Sequence, residues 1–417
     1  MRHLFIAMYL LLIGVSVRAQ VLTLDSCYAL AERNYPLVKQ YALIEKTKEY
    51  TLSNASKAYL PQLSITAIEG YIFGGLPTFG PVESESSDFK FIGIAQLNQT
   101  LWDGGATKTQ KQIIEASAES EKASVDVALH ELNARVNQLY FGILLVDEQL
   151  IQLEVHGKIL NNNVDRLRQL NENGLAYKTD LDEVRVEQLK LNQKKTELKY
   201  VRNGYVTMLS LLIGVKIDGQ IILQKPEINS SVIDLSIARP ELSLYKSQRN
   251  LVNAQAGMKQ VSVMPKIGFL GAGVMLAPGI GGDAEGITSI GVAGLSASWS
   301  ISGLYKNGNE KALTRQSLGK IDVQEETFLF NTKLQLSQTN ATIEKQKAIL
   351  AEDEEIVALR ESIRESYQLK YEAGVGTLLD LLNATENESE ARTQKSLHEM
   401  QLLVALAEYK MTTGNIK

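Results

Sequence analysis

Apolar residues between positions 132 and 167 recur at alternating steps of four and three: Leu132, Val136, Leu139, Ile143, Val146, Leu150, Leu153, Gly157, Leu160, Val164 and Leu167. Only Gly157 interrupts the row, and a repeat of this kind is the seam of two helices packed side by side. Beyond Gly174 the row resumes every seven residues at Val184, Leu191, Leu198, Tyr205 and Leu212. The pattern predicts a helix from about Ala106 to Asn171, roughly 100 Å long at ~1.5 Å per residue. A second helix returns antiparallel to it, making a helical hairpin over about 106–212. Upstream, Leu24 to Tyr59 is helical in pattern, with a break near Asn34-Tyr35-Pro36 and a stop at Pro61.

Between these helices the period changes to two. Leu63, Ile65, Ala67, Tyr71 and Phe73 alternate with Ser64, Thr66 and Gly70, although Glu69 falls in the apolar row. Phe89, Phe91, Ala95 and Leu97 alternate with Lys90, Gln96, Asn98 and Thr100. These are two strands of membrane-barrel length joined by a polar loop, a hairpin over about 63–101.

The layout then repeats. Gly174 and Gly374 are 200 positions apart, as are Asp180 and Asp380, and both Pro36–Pro61 and Pro240–Pro265 are 25 apart. Self-similarity at a fixed offset predicts two copies of one unit: a first over 20–212 and a second over 238–414. Between them, 213–237 is a linker with at most a short strand at Gln220–Leu223. The second copy holds a glycine-rich hairpin at about 266–301 (strands Ile267–Met275 and Ser289–Ile301) and a helical hairpin at about 305–411. Its first helix carries Leu329, Leu336, Ile343, Leu350 and Val357 seven apart. The last helix is polar at Asn383, Thr385, Glu386, Asn387, Glu388 and Ser389. So narrow an apolar stripe predicts a helix with water on two sides, as in the wall of a water-filled tube.

Composition narrows the function. The 417 residues carry 43 Lys and Arg against 48 Asp and Glu, a formal charge of −5 with no concentrated basic face, which argues against a nucleic-acid partner. Met1-Arg-His, an apolar run from Leu4 to Val17 and the small Ala19 read as a secretory signal over 1–19. The run is short of the ~20 residues a membrane-spanning helix needs, and no later stretch reaches that length. Cys27 is the single cysteine, read as a small buried residue. His130, His156 and His398 lie far apart in sequence, Gly279-Ile-Gly-Gly282 lacks the Lys-Ser/Thr of a phosphate loop, and no nucleophile motif is present. The expectation is a non-enzyme with no cofactor and no metal.

Four strands cannot close a barrel, and an open edge cannot sit in lipid with its backbone groups unsatisfied. Either copies associate or the chain does not enter a membrane. Three copies would supply twelve strands, though strand arithmetic alone does not set the number.

The stretch Tyr371-Glu-Ala-Gly-Val-Gly-Thr-Leu-Leu-Asp-Leu-Leu-Asn-Ala384, its twin around Gly174–Asp180, and Leu101-Trp-Asp-Gly-Gly105 resemble the TolC-type outer-membrane efflux proteins. The resemblance covers about Leu24 to Gly414. Trp299-Ser-Ile-Ser-Gly303, after the second hairpin, departs from it by lacking a double glycine. The resemblance implies a mainly α, mixed fold: a homotrimer whose four transmembrane strands per chain form a 12-stranded β-barrel joined to an α-helical barrel. It implies the outer membrane of a Gram-negative bacterium, a periplasmic membrane-fusion adaptor and an inner-membrane transporter as partners. Carried over residue by residue, Gly174, Leu175, Thr179, Asp180, Gly374 and Thr377 fall at the tips that meet the adaptor. Asp380 falls at an acidic ring narrowing the periplasmic mouth. Asn383 stands where well-known members have a second aspartate.

The same residues have local roles available. Gly174 and Gly374 are turn-formers suited to positive φ. Thr377-Leu-Leu-Asp380 and Thr179-Asp-Leu-Asp182 both read as helix caps. The competing function is an exported coiled-coil scaffold with no pore, which predicts strands polar on both faces.

Overall fold

The computed structural model describes residues 22–71, 89–174, 177–217, 221–226, 236–276 and 288–415. The expected signal at 1–19 and most of both hairpin loops lie outside them. In chain order the elements are α1 (Leu24–Asn34), α2 (Lys39–Ser56), β1 (Gln62–Tyr71), β2 (Phe89–Trp102), α3 (Ala106–Glu172), α4 (Lys178–Ile213), α5 (Pro240–Val261), β3 (Lys266–Leu276), β4 (Thr288–Ser298), α6 (Ser302–Glu372) and α7 (Leu378–Thr413). The fold is mainly helical, and none of the described helices is long and apolar enough to cross a membrane. Two compact units result, one of Gln40–Ser124 with Glu241–Glu326 and the other of the remainder. Each draws on both sequence halves.

The first unit contains the sheet, an antiparallel ladder in the order β1-β2-β3-β4. Its register sets Leu63 opposite Leu97, Ile65 opposite Ala95 and Ala95 opposite Gly273, so the apolar rows of both hairpins share one face. Leu63, Ile65, Phe91, Phe269 and Leu295 stand on that face. Opposite partners on the other face include Gln62 with Asn98, Ser64 with Gln96, and Gly268 with Ser296. The strand rows therefore separate into an apolar and a mixed face, and the all-polar sheet that a scaffold would carry is not found.

Helix starts are built differently after the two hairpins. Behind β2, the Asp103 carboxylate accepts from the Gly105 N–H (2.9 Å), the Thr107 N–H (2.6 Å) and the Tyr59 hydroxyl (2.9 Å). It thus caps the first turn of α3. Gly104 and Gly105 take φ of +69° and +94°, and a Cβ on Gly104 would lie 2.5 Å from that of Met264. The Trp-Asp-Gly-Gly motif is a joint that only glycine fits. Behind β4, the indole N–H of Trp299 donates to the Val263 carbonyl (2.9 Å) instead. The strand ends at Ser298 rather than the expected Ile301, and α6 begins at Ser302 rather than near Tyr305. Ion pairs Arg249–Glu325 and Lys259–Glu310 tie α5 to α6, and Lys122–Glu45 ties α3 to α2.

In the second unit, Val136, Ile143, Leu160 and Leu167 of α3 are buried as the seam predicts, with Val184, Leu191 and Leu198 of α4. Beyond Leu198 the buried set becomes Val206, Leu209 and Ile213, one position later than the expected Tyr205 and Leu212. A straight helix drifts against a strict seven-residue repeat. Tyr205 also lies over Gly142, where an added Cβ would come within 3.1 Å of its ring. Tyr140 is fully buried, its hydroxyl set between the carbonyls of Leu22 (2.9 Å) and Gln224 (2.6 Å), which share its one proton. Leu22 and Leu223 meet in an isolated parallel bridge, not a strand.

The reading of α7 as wet on two sides is corrected. Thr385 and Glu388 are 2% and 3% exposed, while Asn383 and Glu386 remain exposed. Burial is tolerated because both are satisfied. The Thr385 hydroxyl donates to the Leu381 carbonyl (2.8 Å), and Glu388 accepts from Arg364 (2.7 Å) and Arg392 (2.8 Å).

Candidate functional site

Two helix-to-helix turns carry the residues singled out by sequence, and both lie in the second unit. At each turn the first helix ends on a glycine in the left-handed region, Gly174 at φ +71° and Gly374 at φ +74°. Their N–H groups donate to the carbonyls of Asn171 (2.9 Å) and Tyr371 (3.1 Å), and the Val375 and Gly376 N–H groups both donate to Lys370 (3.0 and 3.1 Å). Such a residue satisfies carbonyls that a helix end leaves open. A Cβ on either glycine would meet nothing within 4 Å. The backbone angle, not space, is what requires glycine here.

The helices that follow start in different ways. Thr377 is the N-cap of α7; its hydroxyl oxygen accepts from the Asp380 N–H (3.1 Å) and its hydroxyl donates to the Asp380 carboxylate (2.6 Å). At α4 the N-cap is Tyr177, whose N–H donates to the Asp180 carboxylate (3.1 Å). The expected Thr179–Asp182 cap is therefore displaced by two residues, because α4 begins at Lys178 and places Thr179 in its first turn. Asp180 and Asp380 both sit where a negative charge favours the helix dipole. Leu175 lies outside the described residues.

One apolar cluster joins the turns: Leu160 and Leu167 from α3, Val184 and Leu191 from α4, and Leu378 from α7, with Tyr371 and Leu382 packed against them. Burial beside the Asp180 carboxylate pushes the Tyr371 phenol up. An ion pair between Arg166 and Glu372 links α3 to α6. The Gln368 amide and Arg166 hold the Glu372 carboxyl below its usual range.

The turns therefore bring the two sets of sequence candidates to one end of one four-helix cluster. Asp380 and Asn383, three residues apart on α7, share a face and are exposed, as are Thr179, Gly174 and Gly374. Around them Tyr177, Val375 and Leu379 stand 61–80% exposed. These apolar side chains are part of the exposed surface at the two turns.

Sequence reasoning missed the knot behind this surface. Arg364 of α6 and Arg392 of α7 converge on buried Glu388, and Arg392 also pairs with Glu361 (3.0 Å). His156 of α3 lies 3.9 Å from Glu386, and burial lowers its pKa. The spacing held the signal: Leu381, Thr385 and Glu388 step by four and three along the seam. No group of three metal-ligating side chains occurs among the described residues.

No family description and no curated protein matches the sequence. In three dimensions the chain is similar to the outer-membrane protein VceC of Vibrio cholerae, with a TM-score of 0.67 at 13% identity, over 93% of this chain and 95% of that one. It is also similar to the CmeC outer-membrane channel of Campylobacter jejuni, with a TM-score of 0.64 at 14% identity over 94% and 85% of the two chains. The open MtrE outer-membrane channel of Neisseria gonorrhoeae gives 0.63 at 16% identity over 94% and 89%. Sheet, helical hairpins and paired turns together are thus the fold of the solved outer-membrane channels.

Proposed function

We propose that the chain is a TolC-type exit duct in the outer membrane of a Gram-negative bacterium, serving a tripartite efflux or type I secretion system. In this reading three copies pool their strands into a 12-stranded barrel, and their long helices line a tube through the periplasm. Substrates pass through it without energy input of its own. The tips at Gly174, Leu175, Thr179, Asp180, Gly374 and Thr377 receive a membrane-fusion adaptor, an inner-membrane transporter supplies the drive, and Asp380 with Asn383 narrows the mouth.

The observation that carries this reading is the sheet. Its outer strands β1 and β4 each have an edge without a ladder partner among the described residues. One face is apolar and uncovered, with Leu63, Ile65 and Leu295 67–79% exposed. A sheet with an apolar face and two open edges is stable in lipid only when other copies close it. The scaffold alternative leaves that face unexplained.

Membrane fractionation tests the reading. The unboiled protein is expected as a detergent-resistant oligomer in the outer-membrane fraction. A water-soluble single chain overturns it. At the mouth, Asp380→Ala is expected to alter single-channel conductance or its block by divalent cations; unchanged values in both assign Asp380 to helix capping alone.

A further inference from the structure

The face of the sheet opposite the apolar one is not uniformly polar, and its two halves differ. Near the helix-proximal ends of the strands it presents Gln62, Ser64, Gln96, Asn98, Thr100 and Ser296 around one large apolar residue, Leu270, in cross-strand pairs such as Gln62–Asn98 and Ser64–Gln96. Towards the loop ends the same face changes character. Ile68 pairs with Ile92, and Ile94, Val274 and Ile290 form an unbroken row across three strands, with Thr66 as its polar end on β1. Val292 stands two residues further along β4, on the same face as Ile290.

Nothing in the described chain covers this patch at its margins: Ile68, Ile290 and Val292 are 53–64% exposed. Its six side chains offer no charge and no hydrogen-bonding group. The opposite face, with only Glu69, Gln99 and Ser289 as polar interruptions among its described side chains, is the one suited to lipid. The patch therefore belongs to the wall facing the lumen.

Resting on the duct reading above, we infer that Ile68, Ile92, Ile94, Val274, Ile290 and Val292 form an apolar belt on the lumen wall that binds the alkyl or aryl part of passing amphiphilic solutes. A wall of this chemistry gains free energy from each apolar group it takes out of water and gains nothing from an ion. The belt lies towards the loop end and meets the polar half in the row of Ser64, Gln96, Ala272 and Val292. Amphiphiles are retained there briefly before release, whereas small ions pass.

The test uses the full-length protein in planar bilayers, with alkyltrimethylammonium ions of increasing chain length added from the loop side. Dwell time of the block is expected to rise about two- to fourfold for each added methylene that reaches the belt. The double variant Val274→Thr/Ile290→Thr keeps branched side chains suited to strands and should flatten that dependence while leaving ion conductance near the parent value. Leu295→Thr, on the opposite face, should leave the dependence intact. A conducting parent with no chain-length dependence, or a double variant that retains it in full, overturns the belt and leaves the duct standing. An inserted protein that passes no ions overturns the duct itself and the belt with it.

Discussion

The two helical hairpins hold together by different means. Between α3 and α4 the buried seam positions are hydrocarbon, Val136, Ile143, Val184, Leu191 and Leu198, and the polar links Arg202–Asp147 and Gln188–Asn161 lie at more exposed margins. On α6, the positions one step before Leu336, Ile343 and Leu350 are Thr332, Thr339 and Gln346, all buried, and Asp353 continues the row. Two of these groups meet α7 through specific bonds, Gln346 to Gln401 (2.7 Å) and Asp353 to His398 (2.6 Å), as Arg364 does to Glu388, while the Thr332 hydroxyl donates to the Phe328 carbonyl of its own helix (2.8 Å). An apolar seam tolerates sliding by a turn at modest cost. A seam of buried polar pairs does not, because each pair broken leaves an unsatisfied group. The second hairpin thus adds register-fixing polar pairs to an apolar cluster of Leu336, Ile343, Leu402, Ala405 and Tyr409.

The largest expected effect follows from that contrast. Glu388→Ala leaves two arginines converging on a buried, uncompensated site and should destabilise by about 3–5 kcal/mol, seen as a fall in the unfolding temperature in detergent. Leu191→Ala on the first hairpin should cost about 2–5 kcal/mol through a cavity. If Glu388→Ala proves harmless, the polar seam is not what holds the second hairpin.

The strand-to-helix joints sharpen the same comparison. Burial alone would raise the Asp103 carboxyl, but the bonds from Thr107, Tyr59 and Gly105 outweigh it and hold its pKa at about 2. With the folded value below the usual ~4, its stabilisation is fully present above about pH 4. It is lost as pH falls from about 4 towards 2. The joint at Trp299 carries no titratable group in its bond to Val263. Acid unfolding should therefore show a component in that window that Asp103→Asn removes and Trp299→Phe does not.

The smallest effect separates the turns. Thr377→Ala removes an N-cap and should cost about 1 kcal/mol, whereas Thr179→Ala, in the first turn of α4, should change stability little. Equal losses at the two positions would restore Thr179 as a cap.

Much of this was legible in the sequence where a residue's role is set by its neighbours along the chain. The heptad rows located α3, α4 and α6, and Gly174 and Gly374 take the positive φ that their place between helices requires. What depends on another element was not legible. Tyr140 is buried because carbonyls of Leu22 and Gln224, distant in sequence, accept its hydroxyl. Glu388 reads as a solvated acid until Arg364, on a different helix, is known to reach it. The shift from Tyr205 to Val206 reflects accumulated drift, which no single window of residues reveals. The candidate tips were legible as turns, but their shared apolar cluster was not, since Leu378 and Val184 come from different hairpins.

The account stands on the sheet being completed by other copies of the chain. Light scattering with refractive-index correction on the detergent-solubilised protein measures this directly. The protein mass should correspond to three chains, stable on dilution. A monodisperse single chain that retains its secondary structure would contradict it.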